Sequence, residues 1–469
     1  MKRVAIVGGG VAGLAAAYEL AQQTHNGASL QVVLFEASTR LGGIIETVHE
    51  GEFVIECGPD AWVTEKPWAR ELAEELGLGD EVMPSNDATR KTYVLVDKKL
   101  QAMPDGMRMM VPVDLDALDA SEMFSAAAKR AYREEVGRAE QLRADAPDED
   151  ESVAEFIRRH FGEEVLTKIG APLLSGVFGG DVSKLSVRAV MTPFVAMERE
   201  HGSLIVALQA RAGAKKHSVF TTLRSGMGTL VDRMIAAIPE DWIRLAAEVQ
   251  FVSCGDEGWL VGTARGVERF DAVMMAAPVD VACSLLKPVD AEMAPLMEME
   301  ASSAVVVAFG FPGATKFPVP PGFGFLVPPG SDSLLLAATF VDQKFEDRVP
   351  QGGRLVRAFF GGKAAERLMR CRNDETAAVA RMELARILGP LPEPQVTVVR
   401  RWPRSLPQYA VGHLKRMKKL DERVSALDGL SLLGNGYRGV GVPDLIRDAR
   451  VAARRIAGAN KDLAGVAEL

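Results

Sequence analysis

The chain has 469 residues, 48% of them hydrophobic and 25% charged, with 44 glycines and a formal net charge of −8. That length exceeds a single hydrophobic core and implies two or three domains, while the acidic balance argues against a surface that wraps nucleic acid. Cys57, Cys254, Cys283 and Cys371 form no C-x-x-C pair and the six histidines no H-x-x-x-H. Neither a metal site nor a disulfide framework is therefore expected, and the cysteines read as small buried hydrophobes in a reducing cytoplasm.

Lys2 and Arg3, followed by an uncharged run, imitate an export signal, but Gly8, Gly9, Gly10 and Gly13 break the apolar helix that such a signal needs. Residues 4–7 read as a buried strand, 14–22 as an Ala- and Leu-rich helix and 32–35 as a second strand ending in Glu36, the order of a parallel βαβ unit. From 133 to 151 the chain is densely charged, with a loop-like Ala-Pro-Asp-Glu-Asp-Glu centre. Val153, Phe156, Ile157, His160 and Phe161 then share one face of an amphipathic helix. Helical segments continue to about 208, so 97–215 reads as a mostly helical insertion. Strand-like runs return between 249 and 278, notably 272–275, and those at 304–309, 324–327 and 334–337 indicate a second sheet. A strand at 430–433 and a helix at 443–456, joined by a glycine-rich loop, return the chain to its first domain. No run reaches the length of an apolar spanning helix.

The motif Val4-Ala-Ile-Val-Gly8-Gly-Gly10-Val-Ala-Gly13 places G-x-G-x-x-G between strand and helix. Gly8 serves the tight turn, Gly10 the approach of a pyrophosphate and Gly13 the packing of helix on strand, and the helix N-terminus offers free N–H groups to phosphate. Glu36 is placed to accept from a ribose hydroxyl. Arg40-Leu41-Gly42-Gly43 follows at once as a second turn, and Gly58-Pro59-Asp60-Ala61 as a third. In this order the motifs favour FAD over NAD.

A second G-x-G-x-x-G, Gly434-Asn-Gly436-Tyr-Arg-Gly439, is followed by only thirty residues, with no strand ending in an acid. It is instead the approach to a helix that has Pro443 in its first turn. The dipole of that helix would favour negative charge on a reduced flavin.

Across these motifs the chain resembles the oxygen-dependent protoporphyrinogen IX and coproporphyrinogen III oxidases of haem biosynthesis. The resemblance also rests on Gly176-Val-Phe-Gly-Gly-Asp181, Met197-Glu-Arg-Glu-His201, Gly322-Phe-Gly-Phe-Leu-Val-Pro328, Trp402-Pro-Arg-Ser-Leu-Pro-Gln-Tyr409 and Gly412-His413. It implies FAD contacts at Gly8, Gly9, Gly10, Val11, Ala12, Gly13, Glu36, Arg40, Gly43, Ile44, Gly58, Pro59, Asp60, Ala61, Val249, Trp402, Val440, Gly441 and Val442. It also implies a porphyrinogen pocket with walls at Phe323, Leu326 and Phe359, the carbonyl of Gly176 facing the pyrroles, and Arg108 paired with a propionate. The reaction implied removes six electrons in three hydride transfers to FAD, with O2 as acceptor and H2O2 formed. No general base is assigned.

The fold expected is α/β and α+β: a discontinuous Rossmann-like FAD-binding domain of the glutathione-reductase-like type (1–96, 216–285 and 395–469), a helical insertion (97–215) lining the substrate and facing a membrane, and a substrate domain on a second mixed sheet (286–394). Thr92-Tyr-Val-Leu-Val96 with Met103-Pro-Asp-Gly106 resembles the coproporphyrinogen-oxidising enzymes, and Lys66 and Arg70 are candidates for the extra propionates. The implied partners are a porphyrinogen, O2 and the next haem-pathway enzyme, in the cytoplasm or on the inner face of the membrane. An amine oxidase or carotenoid desaturase would share the FAD motifs, and a non-catalytic flavin-binding protein would show no substrate-dependent reduction.

Overall fold

The computed structural model describes residues 1–211, 218–313 and 319–459. Five parallel strands form the first sheet in the order Ile243–Arg244, Leu30–Phe35, Lys2–Val7, Ala272–Met275, Leu430–Leu432. Side chains alternate along a strand. Val4, Ile6, Val32, Leu34 and Met274 therefore enter a core shared with helices Val11–His25, Gly228–Ala236 and Val442–Ala457. Ala5, Val7, Val33, Phe35, Val273 and Met275 face the opposite way, against strands Val249–Gly255, Gly258–Thr263 and Gly266–Phe270 and helix Val279–Leu286. Burial on both faces accounts for the nearly continuous apolar runs of these strands.

The second sheet has seven strands, in the order Val396–Pro407, Ala301–Phe311, Arg354–Phe360, Ala337–Phe340, Gly324–Leu326, Thr92–Val96, Lys99–Ala102. Every pairing is antiparallel except that of Gly324–Leu326 with Thr92–Val96. Helices Gly362–Leu368 and Asn373–Leu388 cover one face, burying Val305, Val307, Phe325, Val356, Ala358 and Phe360. The alternate positions, among them Leu326, Arg357 and Phe359, lie on the other face.

The sequence-derived boundaries need correction at three places. Residues 92–96 and the strand Val396–Pro407 hydrogen-bond within the large sheet and not the nucleotide sheet. Met293 and Met297, placed by sequence in the substrate domain, pack into the core of the nucleotide sheet. A strand's local pattern announces the strand but not its partner, and these segments join elements far away in the chain.

A helical segment packs against strand Thr92–Val96 of the large sheet, with Val94 in its core. Its amphipathic helix Val153–Phe161 starts in a capping box of Ser152 and Glu155, and all five residues of the expected apolar face are buried. His160, at the centre of that face, has Nδ1 3.0 Å from Glu135 Oε1 and Nε2 3.0 Å from Glu198 Oε1. A π-helical stretch, Leu166–Gly170, leads into helix Ala171–Phe178, which carries Gly176.

One buried ion cluster ties the first helix to helix Val442–Ala457. Glu19 accepts from Arg450 Nε at 2.7 Å and from Arg454 Nε at 2.8 Å. Burial alone would raise its pKa, but the hydrogen bonds from Arg454, Arg450 and Gln23 outweigh it and the net shift is downward. The contribution to stability is therefore complete above the ordinary glutamate value of 4.5 and is lost as pH falls through the lower folded value. Glu19→Gln should lower stability by about 3 kcal/mol at neutral pH and have little effect in acid, as measured by urea titration at both pH values.

Candidate active site

The first helix follows the glycine loop directly, with Gly10 as N-cap and no side chain capping it. Leu14 N–H donates to Gly10 O at 2.9 Å, which leaves the N–H groups of the preceding turn, at Val11, Ala12 and Gly13, for an anion. A Cβ at Gly13 would collide with the carbonyl of Gly8, and one at Gly8 (φ +108°) would lie 2.6 Å from Ala276 O. A Cβ at Gly10 would meet only Gly43 Cα, at 4.0 Å. The chain's own backbone demands the first two glycines; Gly10 opens onto the space that a pyrophosphate would fill. Glu36 accepts from Gly9 N–H at 2.7 Å and from Ser38 N–H at 2.8 Å, and both its oxygens keep lone pairs for a ribose hydroxyl.

The second turn locks onto the first, because Gly42 N–H donates to Gly9 O at 2.8 Å. Arg40 closes this turn by donating to the carbonyls of Leu41, Gly43 and Ile45, and its guanidinium lies 5.8 Å from the Trp402 ring. Gly58 packs directly on the Ile44 carbonyl, where any Cβ would collide. Trp402 Nε1 donates to Cys57 O at 2.7 Å, and burial of the Cys57 thiol raises its pKa to about 11. The structure thus brings Arg40, Gly43, Ile44, Gly58 and Trp402 together, with Pro59, Asp60 and Ala61 half-buried beside them. Val249, at the head of its strand, is buried.

A second uncapped helix N-terminus belongs to Val442–Ala457, with Gly441 as N-cap and Pro443 in its first turn. The loop before it, through Val440, is held by an aromatic stack: the rings of Tyr409 and His413 lie 3.9 Å apart and within 10° of parallel. Tyr409 Oη donates to Asn435 O at 2.6 Å and accepts from Gly439 N–H at 3.1 Å, while His413 Nε2 donates to Tyr437 O at 2.8 Å. Burial lowers the His413 pKa to about 4, so the ring is neutral.

Among the residues expected to line a substrate pocket, Gly176 and Leu326 meet: a Cβ at Gly176 would lie 3.9 Å from Leu326 Cδ2. Phe359 shares that sheet face, and Phe323, which is buried, donates its N–H to Lys91 O at 2.8 Å. Arg108 is exposed in the short hairpin of Met107–Arg108 and Val111–Pro112 and has no ion pair with a described residue. Lys66 and Arg70 each have an acidic partner. Lys66 Nζ lies 2.6 Å from Asp444 Oδ2, and Arg70 Nε pairs at 2.8 Å with Glu74 one helical turn away. Both side chains stay largely exposed, Lys66 at 45% and Arg70 at 60%. An open cavity of about 470 Å³, lined in part by Asp181, Lys184, Arg404, Gln408 and Arg416, contains none of the expected site residues.

Two residues escaped the sequence reading. Lys344 and Arg357 both grip Asp60. The available signal was Arg357 itself, a lone charge inside the apolar strand Arg354–Phe360.

Residues 11–457 match the model of the flavin containing amine oxidoreductase family. The chain belongs to that family. This oxidoreductase is FAD-dependent, and the glycine cradle and the ribose carboxylate suit such a dinucleotide. A Bacillus subtilis (strain 168) protein named coproporphyrinogen III oxidase is 33% identical over 463 residues, covering 96% of this chain and 97% of that one. Protoporphyrinogen oxidase 2, chloroplastic/mitochondrial, of Arabidopsis thaliana is 27% identical over 96% of this chain and 93% of its own. A crystal structure from Exiguobacterium sp. 255-15, provisionally described as a protoporphyrinogen oxidase, superposes with a TM-score of 0.87 at 30% identity, covering 98% of this chain and 99% of that one.

The two glycine roles separate experimentally. Gly10→Val should give a folded protein without FAD, and Gly13→Val a destabilised one. Circular dichroism and the flavin content after purification check this; full FAD occupancy in Gly10→Val would contradict the cradle.

Proposed function

We propose that this FAD-dependent oxidase acts on a porphyrinogen, with coproporphyrinogen III as the physiological substrate. The observation that carries the reading is the similarity to the B. subtilis protein of that name along nearly the whole of both chains. The Arabidopsis relative, named for protoporphyrinogen, makes protoporphyrinogen IX the second substrate to test. When bound, FAD takes electron pairs from the macrocycle and yields them to O2.

The protein supplies position and surroundings. The glycine cradle and Glu36 anchor the nucleotide end. Phe323, Leu326 and Phe359 offer an apolar wall for a large flat ring and exclude water from it, with the Gly176 carbonyl as acceptor for pyrrole N–H groups. Arg108 offers a guanidinium fork to a propionate. No side chain is given a proton-transfer role, and orientation carries most of the catalysis. We place the enzyme in the cytoplasm or on the inner face of the membrane, where it passes its product to the enzyme that uses it. No helix among the described residues is long and apolar enough to cross a membrane.

Anaerobic mixing should show coproporphyrinogen III bleaching the flavin, protoporphyrinogen IX bleaching it more slowly, and cyclohexylamine leaving it oxidised. Bleaching by the amine with none by either porphyrinogen would overturn the proposal. Arg108→Ala should raise KM for coproporphyrinogen III about fivefold with little change in kcat, since an exposed charge pair contributes about 1 kcal/mol of uniform binding. Unchanged kinetics would leave Arg108 a solvated loop residue.

A further inference from the structure

Where the 58–61 turn meets the large sheet, three buried cations cluster with the buried Glu56 and the half-buried Asp60. Lys344 Nζ lies 3.0 Å from each oxygen of Asp60. Arg357 Nη1 reaches Asp60 Oδ2 at 3.2 Å, and its Nη2 donates to Gly58 O. Behind them Arg348, wholly buried, lies 3.5 Å from Glu56 Oε1 and donates to Leu223 O at 2.7 Å and Thr222 Oγ1 at 3.0 Å. Lys344 and Arg357 are only 8% and 2% exposed. Burial by itself would push the Asp60 carboxyl upward, yet Lys344 and Arg357 hold it below the usual aspartate range, so it stays ionised. Three cations thus face two carboxylates.

Stability alone does not explain such a cluster, because well-packed apolar residues commonly replace a buried ion pair without loss. Its location does. Arg357 sits on the sheet face of Phe359, its guanidinium 4.9 Å from that ring, while it binds two residues of the turn. The cluster joins the turn assigned to the flavin to the wall assigned to the substrate. In a low-dielectric interior an unbalanced positive charge acts strongly on its surroundings and favours the electron-rich form of a nearby flavin.

We propose that Lys344 and Arg357, through Asp60, are positioning residues that lock the 58–61 turn to the large sheet and raise the reduction potential of the bound flavin by their excess positive charge. The proposal rests on the reading of residues 58–61 as part of the flavin site, and neither cation is assigned contact with substrate.

The test uses purified holoenzyme, with the flavin midpoint potential and sulfite affinity as readouts. Lys344→Met and Arg357→Met should each bind sulfite about tenfold more weakly and lower the midpoint by about 30 mV, the two-electron equivalent of a tenfold change. Lys344→Arg should behave as wild type, and Asp60→Asn should shift both quantities in the opposite direction. If Lys344→Met fails to retain FAD, Arg357→Met and Asp60→Asn carry the comparison. Wild-type values in either methionine variant, or shifts of the same sign in Asp60→Asn, would overturn the proposal. Wild-type protein that binds no flavin would refute the cofactor assignment itself, a separate outcome.

Discussion

The active site depends on backbone passing against backbone with no side chain between. Gly13 rests on the carbonyl of Gly8, Gly8 on the end of strand Ala272–Met275, and Gly58 on the carbonyl of Ile44. Each contact brings a turn closer than any side chain would allow. Together they stack three turns, at 8–13, 40–43 and 58–61, beside one helix N-terminus. The positive end of that helix and its unpaired N–H groups then meet whatever lies above Gly10.

A second helix N-terminus, at Gly441, is held by quite different forces. Glu19 anchors helix Val442–Ala457 to the first helix through Arg450 and Arg454, and the Tyr409–His413 stack fixes the approach loop. Asp444 adds a buried carboxylate near this N-terminus, and Lys66 neutralises it. The pairing of Lys66 with Asp444 therefore preserves the positive character of the helix end. At the opposite side of the turns, the large sheet is joined to the nucleotide domain through Asp60, so the surfaces assigned to cofactor and substrate share one buried electrostatic joint.

Much of this was legible in sequence, because local patterns encode local structure. The βαβ unit, the apolar face around His160 and the strands at 304–309 and 324–327 all follow from periodicity and glycine placement. Partnership was not legible. Thr92–Val96 announces a strand but not its pairing with Gly324–Leu326. The Arg70–Glu74 pair, one helical turn apart, was readable in sequence, whereas the pairing of Lys66 with Asp444 was not. Arg357 interrupts an apolar strand, which signals a buried charge, yet its partner Asp60 is nearly three hundred residues away. Long-range charge pairing leaves no periodic trace in one sequence.

The most direct test of the whole account is the stoichiometry of turnover. A six-electron oxidation in two-electron steps consumes three O2 and releases three H2O2 for each porphyrin formed. Oxygen-electrode and fluorescence measurements on coproporphyrinogen III should give that ratio of O2 to porphyrin with the wild-type holoenzyme. Porphyrin formation without O2 uptake, or O2 uptake on a porphyrinogen without porphyrin fluorescence, would contradict it.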